Sequence, residues 1–269
     1  MNWRLLVDGP HDGAWNMATD EALAEAVDAG ASRPVLRLYR WQPLCLSLGF
    51  SQPFEVADAI YCTWNGIDIV RRPTGGRAVL HDVEMTYAVA APLAVGPFPA
   101  DLQACYRTIC VALIAGLRQL GVVAELAGEP EGGHVRPTEA IPCFIGPAAG
   151  EVTVVGRKLI GSAMRKIGNS ILQHGSLLED WDSDLQAGCL GFADVAALRA
   201  AVITLRDLLG SVPGSDSVAN AIAQGFEERF GIMFERSQLT EQEQARAMLL
   251  ARERYGNERW TVRRDASLQ

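Results

Sequence analysis

Lysine is nearly absent from this chain: of 24 Lys and Arg residues, the two lysines are Lys158 and Lys166. Lys differs from Arg chiefly in being able to lose its proton, so a retained Lys is a candidate for proton transfer or for binding developing charge. Codon bias explains the same scarcity and, taken alone, is the better account of it. Lys158 lies in Gly156-Arg157-Lys158-Leu159-Ile160-Gly161-Ser162-Ala163, after a glycine turn and before a run of small residues. That pattern suits a narrow slot for a flexible chain with an ammonium at its reacting end. It also suits a solvated cation at a hairpin tip, and Lys166 is read that way.

Three further segments carry chemistry. In Arg71-Arg72-Pro73-Thr74-Gly75-Gly76-Arg77-Ala78-Val79-Leu80-His81-Asp82, paired glycines between extended stretches let backbone approach a ligand, with arginines flanking them. A hairpin turn with Arg on its rim is the alternative, and the wording is neither GxGxxG nor a phosphate-loop pattern. Cys143 follows Pro142 inside an irregular stretch, where an exposed thiolate can attack a thioester, or where a thiol simply sits. Ser170-Ile171-Leu172-Gln173-His174-Gly175-Ser176-Leu177 alternates like a strand and carries His174 near its end.

The surrounding pattern supplies elements to hold these groups. Strands are expected over residues 3–7, 34–41, 44–49, 67–71, 77–80, 85–90, 151–155, 158–165 and 170–177, with helices over 16–29 and 101–120. Residues 128–150 read as a long loop, and three helices are expected over 196–209, 217–230 and 241–255. The fold class is α+β, a mixed or antiparallel central sheet flanked by helices. Residues 1–190 are expected to form the core, with a helical part at 191–269 packed on it.

The 269 residues are 49% hydrophobic and 21% charged, values of a globular chain able to bury a core. Formal net charge is −8, which argues against nucleic acid as a partner. No apolar run has the length of a membrane helix, and Asp8 comes too early for a signal-peptide core, so a cytoplasmic location is expected. The six cysteines form no CxxC pair or Cys/His spacing for zinc, and Cys105 and Cys110 read as core residues of a helix.

Together the four segments, with Asn16-Met17-Ala18-Thr19-Asp20-Glu21 and the stretch 37–49, resemble the lipoate–protein ligase and biotin–lipoate protein ligase superfamily over residues 1–180. The nearest likeness is to its octanoyltransferase branch, which carries a cysteine in the loop before the GRK segment. That resemblance implies a fold like the class II aminoacyl-tRNA synthetase catalytic domain. It implies transfer of an octanoyl group from acyl carrier protein to a lysine of a lipoyl domain, in the glycine-cleavage H protein or a dehydrogenase E2 subunit. Cys143 would be the acyl-accepting thiolate and Lys158 its activating or oxyanion-stabilising partner. Arg72, Thr74, Gly75, Gly76, Arg77, His81, Gly161, Ser162 and Ala163 would bind substrate. No cofactor, metal or ATP is implied. An acidic carrier would need a local basic patch, for which Arg71, Arg72, Arg77, Arg157 and Arg165 are the candidates.

Three rivals remain. An ATP-dependent lipoate–protein ligase would use Lys158 and the Gly-Gly turn equally well and needs no cysteine. An amidotransferase taking octanoate from the H protein would share Cys143, and a non-catalytic acyl-binding module would keep only the slot.

Overall fold

The computed structural model describes residues 2–128 and 149–268. Strand β1 (Asn2–His11) leads through α1 (Gly13–Asp28) to β2 (Val35–Trp41) and β3 (Cys45–Leu48). Next come α2 (Ala59–Trp64), β4 (Asp68–Arg71), β5 (Val79–His81), β6 (Glu84–Pro92), α3 (Leu102–Gln119) and the two-residue β7 (Glu125–Leu126). A meander of β8 (Val152–Val154), β9 (Arg157–Ile167) and β10 (Ser170–Leu178) follows. The chain then runs through α4 (Ser183–Cys189), α5 (Val195–Ala201), α6 (Leu205–Leu209), α7 (Ser215–Phe230), β11 (Met233–Arg236), α8 (Glu241–Leu250) and α9 (Glu258–Thr261).

Eight strands form the main sheet in the order β11-β1-β2-β6-β10-β9-β8-β7, and β4-β3-β5 form a small second sheet. In the main sheet β1 runs parallel to β2 and β11, and the pairs from β2 through β10 to β7 are antiparallel. Alternation along the strands sorts the core into two layers. Leu5, Leu36, Leu38, Val89 and Ile171 join the α3–α7 side, whereas Leu6, Val35, Tyr39, Ala88, Ala90 and Leu172 face α1 and α8. Helices α3 and α7 meet at glycine: a Cβ on Gly225 would lie 2.1 Å from the Gly116 amide nitrogen, so bare backbone sets their spacing. Side-chain oxygens cap the helices the sequence delimits best, Asp12 accepting from the Trp15 amide and Asp101 from the Ala104 amide. Among the described residues no helix is long and apolar enough to cross a membrane.

Several boundaries differ from the sequence reading. Strand β1 continues past the Asp8-Gly9-Pro10 stop to His11, with a register shift between Val7 and Pro10 that absorbs the proline. The helix expected over 196–209 is two helices. Between them Val202 forms a parallel bridge with Lys158, and the Ile203 amide donates to the Lys158 carbonyl at 3.1 Å, so strand pairing interrupts a helical pattern. Strand β11, which the reading lacked, adds a C-terminal strand to the sheet edge. Helix α8 ends in a wider π turn over Ala251–Tyr255, within which Arg254 and Tyr255 both donate to the buried Glu21 carboxylate.

Candidate functional site

The segment with paired glycines is not a hairpin. Strands β4 and β5 pair on opposite sides of β3, so residues 72–78 cross over the end of β3. Gly49, just past β3, lies directly against this crossover: a Cβ there would be 1.9 Å from the Gly76 carbonyl oxygen. Gly76 itself has φ +93, a conformation that favours glycine. Buried arginines brace the crossover from beneath. The Arg71 guanidinium donates to the carbonyls of Gly49, Phe50, Gln52 and Thr261, and Arg72 donates to those of Ser47, Gly75 and Arg77. Arg71 is 0% and Arg72 5% exposed, which corrects their assignment to a surface patch: carbonyls from a distant helix and from their own loop take up the guanidinium donors. Arg157 does not join such a patch either. It lines a separate pocket of 620 Å³ with Arg199 and five aspartates, among them Asp180 and Asp182.

An open groove of 390 Å³ runs between the crossover, the start of α3 and strand β9. Gly75, Gly76, Ser162 and Ala163 line it, together with Leu102, Gln103, Tyr106, Ala149, Glu151 and Met164. Of the other residues expected to bind substrate, Arg72, Thr74, Arg77, His81 and Gly161 are absent from its lining. Beside the groove Tyr87 and Ser162 share a hydrogen bond of 2.6 Å, and Gln173 donates to the Tyr87 hydroxyl at 2.8 Å. Burial pushes the Tyr87 and Tyr106 hydroxyls well above the usual phenol range, so both stay neutral hydrogen-bonding groups.

Lys158 is fully buried on β9, and its ammonium donates to Glu151 Oε1 at 2.7 Å. Glu151 lines the groove, so the ion pair stands behind its wall. Glu151 escaped the sequence reading although a signal existed. A turn at Val155-Gly156 sets Thr153 opposite Lys158, and the side chain two residues before Thr153 returns to the same face of the sheet. Lys166, also on β9, is exposed.

Two histidines sit in buried polar networks. His81 Nδ1 bonds Glu84 at 2.7 Å and Nε2 bonds Ser47 at 2.8 Å, while its ring stacks on Trp41 at 3.9 Å. His174, the weakest of the sequence candidates, reaches Thr74 Oγ1 with Nε2 at 2.6 Å and Asp20 with Nδ1 at 3.0 Å. Asp20 also accepts from Arg37 and Tyr39, both at 2.8 Å. His174 thus fastens the crossover to α1 through Thr74. Burial lowers its pKa below the ordinary 6.5 despite the nearby Asp20. Because the unfolded chain then binds this proton more tightly, stability from this group falls as pH drops below about 6.5, by up to ~1.4 kcal/mol per unit of difference. Urea midpoints at pH 7.5 and 5.0 test this: wild type is expected to lose more stability on acidification than His174→Gln, and equal losses would contradict it.

Cys143 lies outside the described residues. The five described cysteines, at 45, 62, 105, 110 and 189, are all buried, and burial pushes the Cys110 thiol up to about 12. Among the described residues no group of three or more His, Cys, Asp or Glu side chains is placed to hold a metal ion.

The lipoyl protein ligase A/B catalytic domain matches residues 12–227. The chain belongs to this family. Within the lipoyl protein ligase A/B family, it is 39% identical to the octanoyltransferase LipM of Kyrpidia tusciae, over 97% of this chain and 99% of that protein. It is 37% identical to the octanoyltransferase LipM of Symbiobacterium thermophilum, over 98% and 99%. Among solved structures, a lipoate-protein ligase A bound with ATP superposes with a TM-score of 0.82 at 27% identity, covering 97% of this chain and 99% of that one. The bipartite lipoate protein ligase of Thermoplasma acidophilum, studied with its E2 lipoyl domain, gives 0.80 at 28% identity, covering 97% and 96%. These likenesses span nearly the whole chain, and the α+β lipoate ligase fold, a mixed sheet flanked by helices, is this protein's fold.

Proposed function

We propose that this protein is an acyltransferase that moves an octanoyl group from acyl carrier protein to a lysine of a lipoyl domain, in an H protein or a dehydrogenase E2 subunit. The observation that carries the reading is end-to-end likeness to octanoyltransferases at 33–39% identity, above the 27–28% shared with the two lipoate ligases. The groove supports it, since small and apolar residues make up most of its lining and Glu151 in that lining accepts from the buried Lys158 ammonium.

In the proposed cycle the Cys143 thiolate attacks the thioester carbonyl, a new C–S bond forms, and the carrier thiolate leaves and takes up a proton. The lysine amine of the lipoyl domain then attacks the acyl-enzyme. A C–N bond forms, the C–S bond breaks, and the amine proton passes to a base. Lys158 supplies positive charge for the oxyanion and the thiolate and relays the amine proton. Its ammonium passes one proton to Glu151, held 2.7 Å from it at the groove wall, and takes up the proton leaving the amine. With every described cysteine buried, Cys143 is the remaining thiol of the chain for this task. Within this reading residues 1–190 hold the reacting groups and 191–269 brace them. The reaction takes place in the cytoplasm, away from membrane and nucleic acid.

The ligase reading keeps one observation, the fold shared with a lipoate-protein ligase bound with ATP. Product formation on an apo lipoyl domain separates the two. Modification from octanoyl-acyl carrier protein without ATP supports the transferase, and modification only with lipoate, ATP and Mg²⁺ overturns it. Modification from an octanoylated H protein, but not from the carrier, would reassign the donor.

A further inference from the structure

Arginines gather at one place on a chain whose net charge is −8. The segment after β3 and the crossover lie against each other, joined where the Phe50 amide donates to the Thr74 carbonyl at 2.8 Å. Arg165, partly exposed on β9, donates to the Pro73 carbonyl at 3.1 Å and stands 5.5 Å over the Phe50 ring. Arg264, exposed beyond α9, donates to the Ser51 carbonyl at 2.8 Å. Its backbone has φ 53, which a residue with a side chain rarely adopts and which the surrounding structure must hold in place. Neither Arg165 nor Arg264 is matched with a carboxylate among the described residues.

Behind this face the cations continue. Burial first, then repulsion from Arg264 and Arg72, lowers the Arg71 pKa to about 10, with Glu55 as the opposing carboxylate. Backbone carbonyls, which carry no net charge, accept from the Arg71, Arg165 and Arg264 guanidinium groups, so the face keeps its positive potential. It adjoins Gly75 and Gly76, which form one rim of the groove. An arm reaching out from a protein seated here would enter the groove over the glycines.

Building on the proposed acyl transfer, we infer that the face formed by Arg165, Arg264 and Phe50 docks the acidic protein that delivers the acyl thioester. Arg264 replaces Arg71, Arg72 and Arg157 of the sequence expectation, and the C-terminal segment thereby takes part in donor choice. Charge at an interface rim acts on encounter and salt dependence more than on chemistry.

Steady-state kinetics with two donors test this in the full chain. One donor is octanoyl-acyl carrier protein and the other is the small uncharged octanoyl thioester of N-acetylcysteamine. The double variant Arg165→Gln/Arg264→Gln is expected to raise KM for the protein donor roughly tenfold, to leave kcat unchanged, and to flatten the salt dependence of kcat/KM. Its kcat/KM with the small thioester should match wild type, which also shows that the variant is folded. An unchanged KM for the carrier overturns the inference, as does a rise confined to the lipoyl-domain acceptor. Wild type failing with both donors would overturn the transfer reading itself, and the docking inference with it.

Discussion

Lys158→Ala is expected to lower octanoyl transfer by about a thousandfold and to destabilise the fold by ~3–5 kcal/mol. The two losses have separate causes. Loss of rate follows from removing the positive charge offered to the oxyanion and to the Cys143 thiolate. Loss of stability follows from leaving Glu151 buried without the ammonium that now donates to it at 2.7 Å. A double change, Lys158→Met with Glu151→Gln, removes both charges and should recover most of the stability but none of the activity. Lys158→Arg keeps the charge while preventing deprotonation, and should lose activity at least about tenfold. Initial rates of lipoyl-domain modification and urea midpoints check each arm. Undiminished activity in Lys158→Arg would remove Lys158 from proton transfer.

Gly49→Ala should reduce transfer about a hundredfold without altering any group that takes part in the chemistry. The added Cβ would meet the Gly76 carbonyl at 1.9 Å, and both partners are backbone, so the crossover must move. That motion shifts the Gly75–Gly76 rim relative to Ser162 and Ala163 on the opposite wall of the groove. Overpacking of this kind also costs about 1–3 kcal/mol. Gly9→Ala is the control: nothing lies within 4 Å of its Cβ position, so activity and stability should match wild type. Equal activity in Gly49→Ala and Gly9→Ala would show that the rim position is immaterial to transfer.

What could be read from the sequence followed the range of the interactions. Main-sheet strands alternate in their own residues, and α3 is bounded by Asp101 and Gly121, so local pattern sufficed there, whereas α1 begins three residues before the expected Asn16, at the Asp12 cap. Lys158 stood out through scarcity, and its partner Glu151 lay one hairpin register away. Arg71 was misread because its acceptors are remote. Nothing near Arg71 in sequence predicts the Thr261 carbonyl, 190 residues later, that accepts its hydrogen bond. His174 showed little by itself, since its role arises from Asp20 and Thr74, brought from two other elements. The break at Val202 ran against a continuous helical pattern, because pairing with Lys158 decides that backbone. Strand β11 is four residues long and needs β1 beside it to be a strand at all.

The most direct test of the acyl-enzyme account is intact mass spectrometry of the protein after incubation with octanoyl-acyl carrier protein in the absence of ATP. The expected result is one octanoyl adduct per chain, absent from Cys143→Ala and discharged when an apo lipoyl domain is added. An adduct that persists in Cys143→Ala would contradict the account, as would lipoyl-domain modification by that variant at the wild-type rate.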